Sequence, residues 1–218
     1  MFGLPSGEKT KLFGLPSGKA KLFCHSHYQI LHLHSGNSRN GSQTFEDRSV
    51  HKQEITDTGA FHSSAQRRAH RTSIYFENNY LDVAGINLNT FSGVIDLWAF
   101  PLRNNTFECI IGNDNGGCDV AVRTDFSGNF GIHTGNSIVI TEQPVAVSQW
   151  QRLSYIIEPD ALKFFVDSKK VWSRKSGIES PNGSDFLRIG GRAGGSFYFN
   201  GYIDNIRILS GVYKLPSL

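Results

Sequence analysis

Three kinds of side chain in the 218-residue sequence could do chemistry, and for each the spacing decides which chemistry. Carboxylates come first, because cleaving a glycosidic bond takes two of them flanking one reacting centre. Asp96 stands alone between Ile95 and Leu97, and Asp204 stands alone between Ile203 and Asn205. Neither has a second carboxylate at strand or helix spacing. Asp204 reads instead as a structural group that fixes a turn or bulge. The sequence also lacks Gly-x-Ser-x-Gly, a Walker loop, His-Glu-x-x-His and Cys-x-x-Cys, the patterns that build nucleophile, phosphate and metal sites. No catalytic residue and no enzymatic activity are expected.

Sugar recognition asks for an exposed aromatic ring beside planar polar groups, sometimes with a calcium ion held by carboxylates and carbonyls. Asn113, Asp114 and Asn115 can supply the oxygens, and Trp172, next to a hairpin, can supply the ring. Followed by Gly116 and Gly117, the same tripeptide is equally a good turn. Calcium at this loop is the one cofactor the sequence leaves open. His32 and His34 lie two apart, with Cys24, His25 and His27 just upstream. That is not a zinc spacing and no second ligand cluster follows, so hydrogen-bonded structural histidines are expected and no metal site. Arg67, Arg68, His70 and Arg71 form the densest positive patch. Without interleaved aromatics it makes a poor nucleic-acid footprint, and it reads as a solvated loop or a contact to an acidic neighbouring subunit.

The elements that must hold these groups are strands. Gly 23, aromatic residues at 12% and charged residues at 19% suit short strands joined by tight turns, and no long segment carries the helical period. A net charge of +3 does not by itself argue for nucleic acid. No apolar run reaches membrane-spanning length and no signal-peptide core opens the chain, so a soluble protein outside the ordinary secretory route is expected. Cys24, Cys109 and Cys118 make an odd count, which argues for reduced buried thiols, although Cys109 and Cys118 could pair across a hairpin.

Phe186 to Leu209 organises the rest. Leu187 and Ile189 alternate with Arg188, a glycine-rich turn with Gly190 and Gly191 follows, and Phe197, Tyr198, Phe199, Gly201, Tyr202 and Ile203 lead to Ile206-Arg207-Ile208. This predicts two paired antiparallel strands. Ile203 and Ile206 are three apart, so for both to face the core one extra residue must sit near Asp204-Asn205, as a β-bulge. Upstream, Tyr28 to His34 predicts a strand with Leu31 and Leu33 on one face. Phe91 to Pro101 predicts one buried on both faces, which puts Trp98 in the core. Leu162, Phe164 and Val166 alternate with Lys163, Phe165 and Asp167 before a turn at Asp167-Ser168.

The run LRIGG, a glycine-rich turn, FNGYIDNIRIL and then Tyr213 resembles the closing signature of laminin-G-like, concanavalin A-like jelly rolls. His34, Gly41, Ser42, Thr44, Phe45, Asp47, Ser49, Ile55, Phe76, Tyr80 and Leu81 extend the resemblance to the module of this family common in bacteriophage structural proteins. Ser35-Gly36 stands where that module usually has Phe-Asp, and Ser168 stands where it has glycine in the later turn. The resemblance covers roughly residues 28 to 213. It implies an all-β, concanavalin A-like jelly-roll sandwich of two antiparallel sheets over 28–218, with Gly190, Gly191, Gly201, Asp204 and Arg207 as its structural signature. Glucanases of this fold carry Glu-x-Asp-x-x-Glu, which is absent here.

Residues 1–27 read as a separate arm. FGLPSGEKTKL from Phe2 and FGLPSGKAKLF from Phe13 are a near-duplicate pair, each with a Pro-Ser-Gly turn and a basic tail. Two such units bury too little to stand alone. Phe2, Leu4, Phe13, Leu15, Leu22 and Phe23 are greasier than a disordered tail should be, so the arm is expected to dock on neighbouring subunits. Together these features predict a non-enzymatic virion structural protein, a capsid decoration or a tail or fibre component. It would be assembled in the host cytoplasm, be homo-oligomeric in the particle and contact other virion proteins through the arm. The alternative is a carbohydrate-binding, lectin-like module for attachment to host cell-surface glycans. No membrane partner is expected.

Overall fold

A computed structural model describes residues 28–36, 38–88, 90–113, 119–135, 137–177, 186–192 and 196–215. The repeated segment with Phe2, Leu4, Phe13, Leu15, Leu22 and Phe23 lies outside these residues, as do Cys24, Asp114, Asn115 and Cys118. Among the described residues every regular element is a strand. In chain order they are β1 (Gln29–Leu33), β2 (Ile55–Asp57), β3 (Phe61–Ser63), β4 (Ser73–Phe76), β5 (Leu81–Ala84), β6 (Gly93–Pro101), β7 (Cys109–Gly112) and β8 (Asp119–Thr124). There follow β9 (Asn129–Gly135), β10 (Ile138–Pro144), β11 (Gln151–Ile157), β12 (Leu162–Val166), β13 (Lys169–Arg174), β14 (Phe186–Ile189) and β15 (Gly201–Ser210).

Two antiparallel sheets face each other. The eight-stranded sheet runs β13-β12-β11-β6-β15-β4-β3, with β1 also paired to β15, and the seven-stranded sheet runs β10-β9-β8-β7-β14-β5-β2. Alternation explains which residues fill the space between them. Ile95, Leu97 and Ala99 of β6, Leu153, Tyr155 and Ile157 of β11, and Leu162, Phe164 and Val166 of β12 point into one core. They meet Leu187 and Ile189 of β14 and Ile111 of β7 from the opposite sheet. Each such aliphatic side chain, fully buried, contributes about 1.5–3 kcal/mol.

The expected bulge is present. Ile203 and Ile206 are both fully buried, and the β15–β6 register shifts between Asp204 and Arg207. Asn205 takes the left-handed backbone conformation, φ 51°, that lets the extra residue out. The expected pairing of the two signature strands is not present: β14 and β15 lie in opposite sheets. Their apolar faces meet across the core instead of edge to edge. The glycines sit where the chain crosses between sheets. A Cβ on Gly190 would run into the Phe76 ring, and one on Gly201 would meet the Phe100 carbonyl and the Phe199 ring.

Trp98 also departs from expectation. Ile95, Leu97 and Ala99 take the inner face of β6, so Asp96, Trp98 and Phe100 face outward. Trp98 is half-buried, and what covers it is the Arg68 guanidinium, 3.6 Å from the ring centroid. The basic 64–72 segment thus folds back over the sheet. Asp167 and Ser168 close the β12–β13 hairpin as a two-residue turn with φ of 50° and 67°. Asp167 Oδ1 accepts a 2.8 Å hydrogen bond from the Arg152 amide, which anchors a turn that has no glycine.

On the outer face of the eight-stranded sheet, Asp96 is completely buried. Arg152 of β11 donates to it at 2.8 and 3.3 Å, Ser154 at 2.6 Å, and Arg207 of β15 at 2.6 Å. One carboxylate therefore ties three adjacent strands. Replacing Asp96 with Asn leaves two guanidinium groups around a neutral amide and should cost about 3–5 kcal/mol. The urea midpoint would fall at an unchanged denaturant slope. A loss under about 1 kcal/mol would show that the cluster does not hold the sheet.

Candidate functional site

An open, largely apolar site forms where several connecting segments converge beside β7. The β8–β9 turn supplies Phe126. Asp125 accepts hydrogen bonds from the Ser127 amide (3.1 Å), the Asn129 amide (2.9 Å) and the Ser127 hydroxyl (2.8 Å). Gly128, at φ 80°, completes the reversal. The turn is thereby rigid, and it pushes Phe126 outward with 72% of its surface exposed. Phe107, just ahead of β7, stacks on Phe126 with centroids 5.7 Å apart. Phe197 meets Phe107 edge-on at 4.8 Å.

Phe197 has φ 55°, a strained conformation for a bulky side chain. Its carbonyl accepts a 2.8 Å hydrogen bond from the Cys109 amide, which pins the segment to β7. Glu108 supports the same corner from behind and is fully buried. Arg103 pairs with it, Thr106 donates to it at 2.9 Å, and the Asn200 amide donates at 3.1 Å. Tyr198 lies parallel to Tyr80, with Arg188 over the Tyr80 ring at 3.6 Å. Arg188 is itself held by two 2.7 Å hydrogen bonds to Asp82. The result is a cavity of about 320 Å³ bounded by Phe107, Phe126, Phe197 and Tyr198, with Arg103, Thr106 and exposed Asn78 at its margin.

Behind this shelf Arg123, His133 and Cys109 pack with no room for a water. The Arg123 guanidinium covers the far side of Phe107 and also meets His133 at 2.7 Å. The shelf has a solid back and an open front. Among the described residues no carboxylate lines the cavity, and Glu108 beneath it is committed to three donors. Rings with polar groups at their rim can hold the apolar face of a sugar and its hydroxyls. They cannot supply the two flanking carboxyl groups of glycoside hydrolysis.

Of the sequence-expected glycan residues, Asn113 and Trp172 fall among the described residues. Asn113, one residue past β7, is fully buried. Trp172 sits on β13, at the edge of the eight-stranded sheet, where it packs half-buried against the core. Asp114 and Asn115 lie outside the described residues. Reasoning from sequence missed Phe107, Phe126 and Phe197. The signal for Phe126 was present, an aromatic residue inside the turn sequence Asp-Phe-Ser-Gly-Asn.

The histidines sit elsewhere, along the outer face of the eight-stranded sheet. His34 packs between His32 and His70, with ring centroids 5.0 Å from each. Among the described residues no group of three or more side chains could hold a metal ion. Asp204, buried beside the bulge, accepts from the Ser35 amide at 3.3 Å and the Asn205 amide at 2.8 Å. Burial pushes its carboxyl above the usual range. Burial, then Arg48 and the neighbouring histidines, brings His34 from 6.5 down to about 4.

A family model described as the concanavalin A-like lectin/glucanases superfamily matches residues 76–215. No curated protein sequence matches the chain. Among solved structures it is similar to domain 4 of AbnA, a GH43 extracellular arabinanase from Geobacillus stearothermophilus, in complex with arabinotriose. The identity is 14%, the coverage 85% of this chain and 94% of that one, and the TM-score 0.61. It is also similar to the receptor binding domain of botulinum neurotoxin mosaic serotype C/D, at 11% identity, 88% and 49% coverage and TM-score 0.63. The binding domain of Paraclostridial Mosquitocidal Protein 1 gives 14% identity, 87% and 50% coverage and TM-score 0.62. The chain thus spans about half the length of these toxin domains. At such identities the likeness is one of fold.

The lowered His34 value sets a direction for acid stability. A histidine whose folded pKa lies below its unfolded value leaves the unfolded chain binding more protons, so stability falls as pH drops from 6.5 to about 4. With the ring half-exposed, solvent screening reduces the loss to about 1 kcal/mol. Urea midpoints measured across this range should slope down toward acid, and His34→Gln should flatten the slope. An unchanged slope in the variant would assign the acid sensitivity elsewhere.

Proposed function

We propose, from the premise that the chain belongs to the concanavalin A-like lectin/glucanases superfamily, that it is a non-catalytic, lectin-like binding module that takes a saccharide on its phenylalanine shelf. The observation that carries this reading is Phe126, largely exposed yet stacked on Phe107 and held by a rigid turn. The stack on Phe107 uses one face of the Phe126 ring and leaves most of its surface to the solvent, where it can meet a partner. The sugar's C–H face lies on Phe126 and Phe107, while Arg103, Thr106 and Asn78 hydrogen-bond its hydroxyls. The solved relative captured with arabinotriose supports the choice of ligand class.

Phe126→Ala should lower the urea midpoint only slightly, by about 1 kcal/mol or less, because the side chain is largely exposed and loses one stacking contact. It should weaken retention on a glycan array about ten-fold, near 1.4 kcal/mol. Flat binding of the parent protein across the array, or undiminished binding by the variant, would retire the shelf.

A second reading concerns where the module is displayed, and the duplicated FGLPSG segment favours it. In this reading the module is a virion structural protein, a capsid decoration or a tail or fibre component. The Phe2, Leu4, Phe13, Leu15, Leu22 and Phe23 side chains dock it, as a homo-oligomer, on other virion proteins. Removing residues 1–23 should abolish incorporation into particles while leaving the unfolding midpoint of the β domain where it was. Normal incorporation of the truncated protein would rule the arm out.

A further inference from the structure

Beside the β1–β15 edge lies a second cavity, of about 220 Å³, that shares no residue with the shelf. Its walls come from the segment between β1 and β2 and from β3. Arg39 and Arg48 line it and are both solvent-exposed. Among the described residues no carboxylate pairs with either. The one acid in the lining, Glu46, faces Lys52 at 3.5 Å, which offsets its charge. The cavity is therefore positive in balance.

His34 and Arg48 converge on one point. A side-chain carbon at Gly36 would come within 2.9 Å of the His34 ring and 3.0 Å of the Arg48 guanidinium. His34 Nδ1 is buried and has no hydrogen-bond partner. The rest of the half-exposed ring forms part of the cavity wall. His62 forms a fixed wall, with one ring nitrogen 2.8 Å from the Ser35 hydroxyl and the other 2.9 Å from the Thr44 carbonyl. The Ser42 hydroxyl, which accepts from the Thr44 amide at 3.3 Å, adds another polar group.

We propose that this cavity is a second binding site, for an acidic saccharide whose oxyanion sits between Arg39 and Arg48 and whose ring hydroxyls meet Ser42 and Thr44. Guanidinium forks match the geometry of a carboxylate or sulfate and hold it through charge-assisted hydrogen bonds. A bare anion would leave most of the space empty, since a water takes only about 30 Å³. The size suits one sugar ring. The hydroxyl-bearing side chains that share the lining, Ser38, Ser42 and Thr44, match the rest of that ring. This assignment stands apart from the shelf, and the two can fail separately.

The test is titration of the full chain with glucuronate, glucose, glucose 6-sulfate and inorganic sulfate, following the ring proton signals of His34 and His62 by NMR. Glucuronate or glucose 6-sulfate should shift both signals and bind at least ten-fold more tightly than glucose or inorganic sulfate. The tighter of the two identifies the oxyanion. Arg48→Gln should lose ten-fold or more for the acidic sugar, and Arg39→Gln should lose in the same direction, whereas Phe126→Ala should not. Both arginines are exposed, so the variants should keep the parent's unfolding midpoint. Equal binding of glucose, equal binding of inorganic sulfate, absence of any shift, or full affinity in the Arg39→Gln/Arg48→Gln double variant would overturn the assignment.

Discussion

A single buried carboxylate sets the frame. Asp96 sits in the middle of the central strand of the eight-stranded sheet and is reached by Arg152 from one neighbouring strand and Arg207 from the other. Burying such charges is expensive unless all of them are matched, so only one register of the three strands satisfies the group. The constraint matters most for β15, which carries a bulge between Asp204 and Arg207 and would otherwise be free to slip. With Arg207 held on Asp96, Ile206 and Ile208 fall into the core and Leu209 onto the outer apolar cluster with Val94 and Ile156. The start of β15 is then fixed as well, and with it the Phe197–Asn200 segment that reaches β7 through the Cys109 amide and Glu108.

The same frame separates the two faces of the molecule by task. On the outer side of the eight-stranded sheet the charged groups look inward: Asp96 is enclosed by arginines, Asp204 by backbone amides, and Trp98 by Arg68. The two lone carboxylates of the sequence, Asp96 and Asp204, are engaged in holding strands. At the corner beside β7 the balance is reversed. There the carboxylates, Glu108 and Asp125, are spent on fixing loops, and aromatic rings face the solvent. This corner has the character of a surface prepared for a partner.

Much of the fold is legible in local pattern. Leu31 and Leu33, Leu162 to Val166, and the offset of Ile203 and Ile206 each state which face is inside, and the structure follows them. Which sheet a strand joins is not local information. β14 and β15 show the same alternation as a hairpin, yet they lie in opposite sheets. Trp98 was misread for a related reason, since its cover comes from a loop well upstream in the chain, Arg68, that no strand pattern reveals. The site was less legible than the fold. Asn113 belongs to a polar turn sequence, but it follows the buried strand Cys109–Gly112 and is enclosed with it. The rings that do converge come from positions 107, 126 and 197, and only the packing of three separate connections brings them together.

The central claim is that the corner at β7, and not the Asp96 cluster of the eight-stranded sheet, meets a neutral saccharide. A residue-by-residue NMR map of shift changes on adding arabinotriose tests it most directly. The account predicts changes concentrated at Arg103, Thr106, Phe107, Phe126, Phe197 and Tyr198, with Asp96, Arg152 and Arg207 unmoved. Changes centred on Asp96 and its two arginines, with the shelf silent, would contradict it.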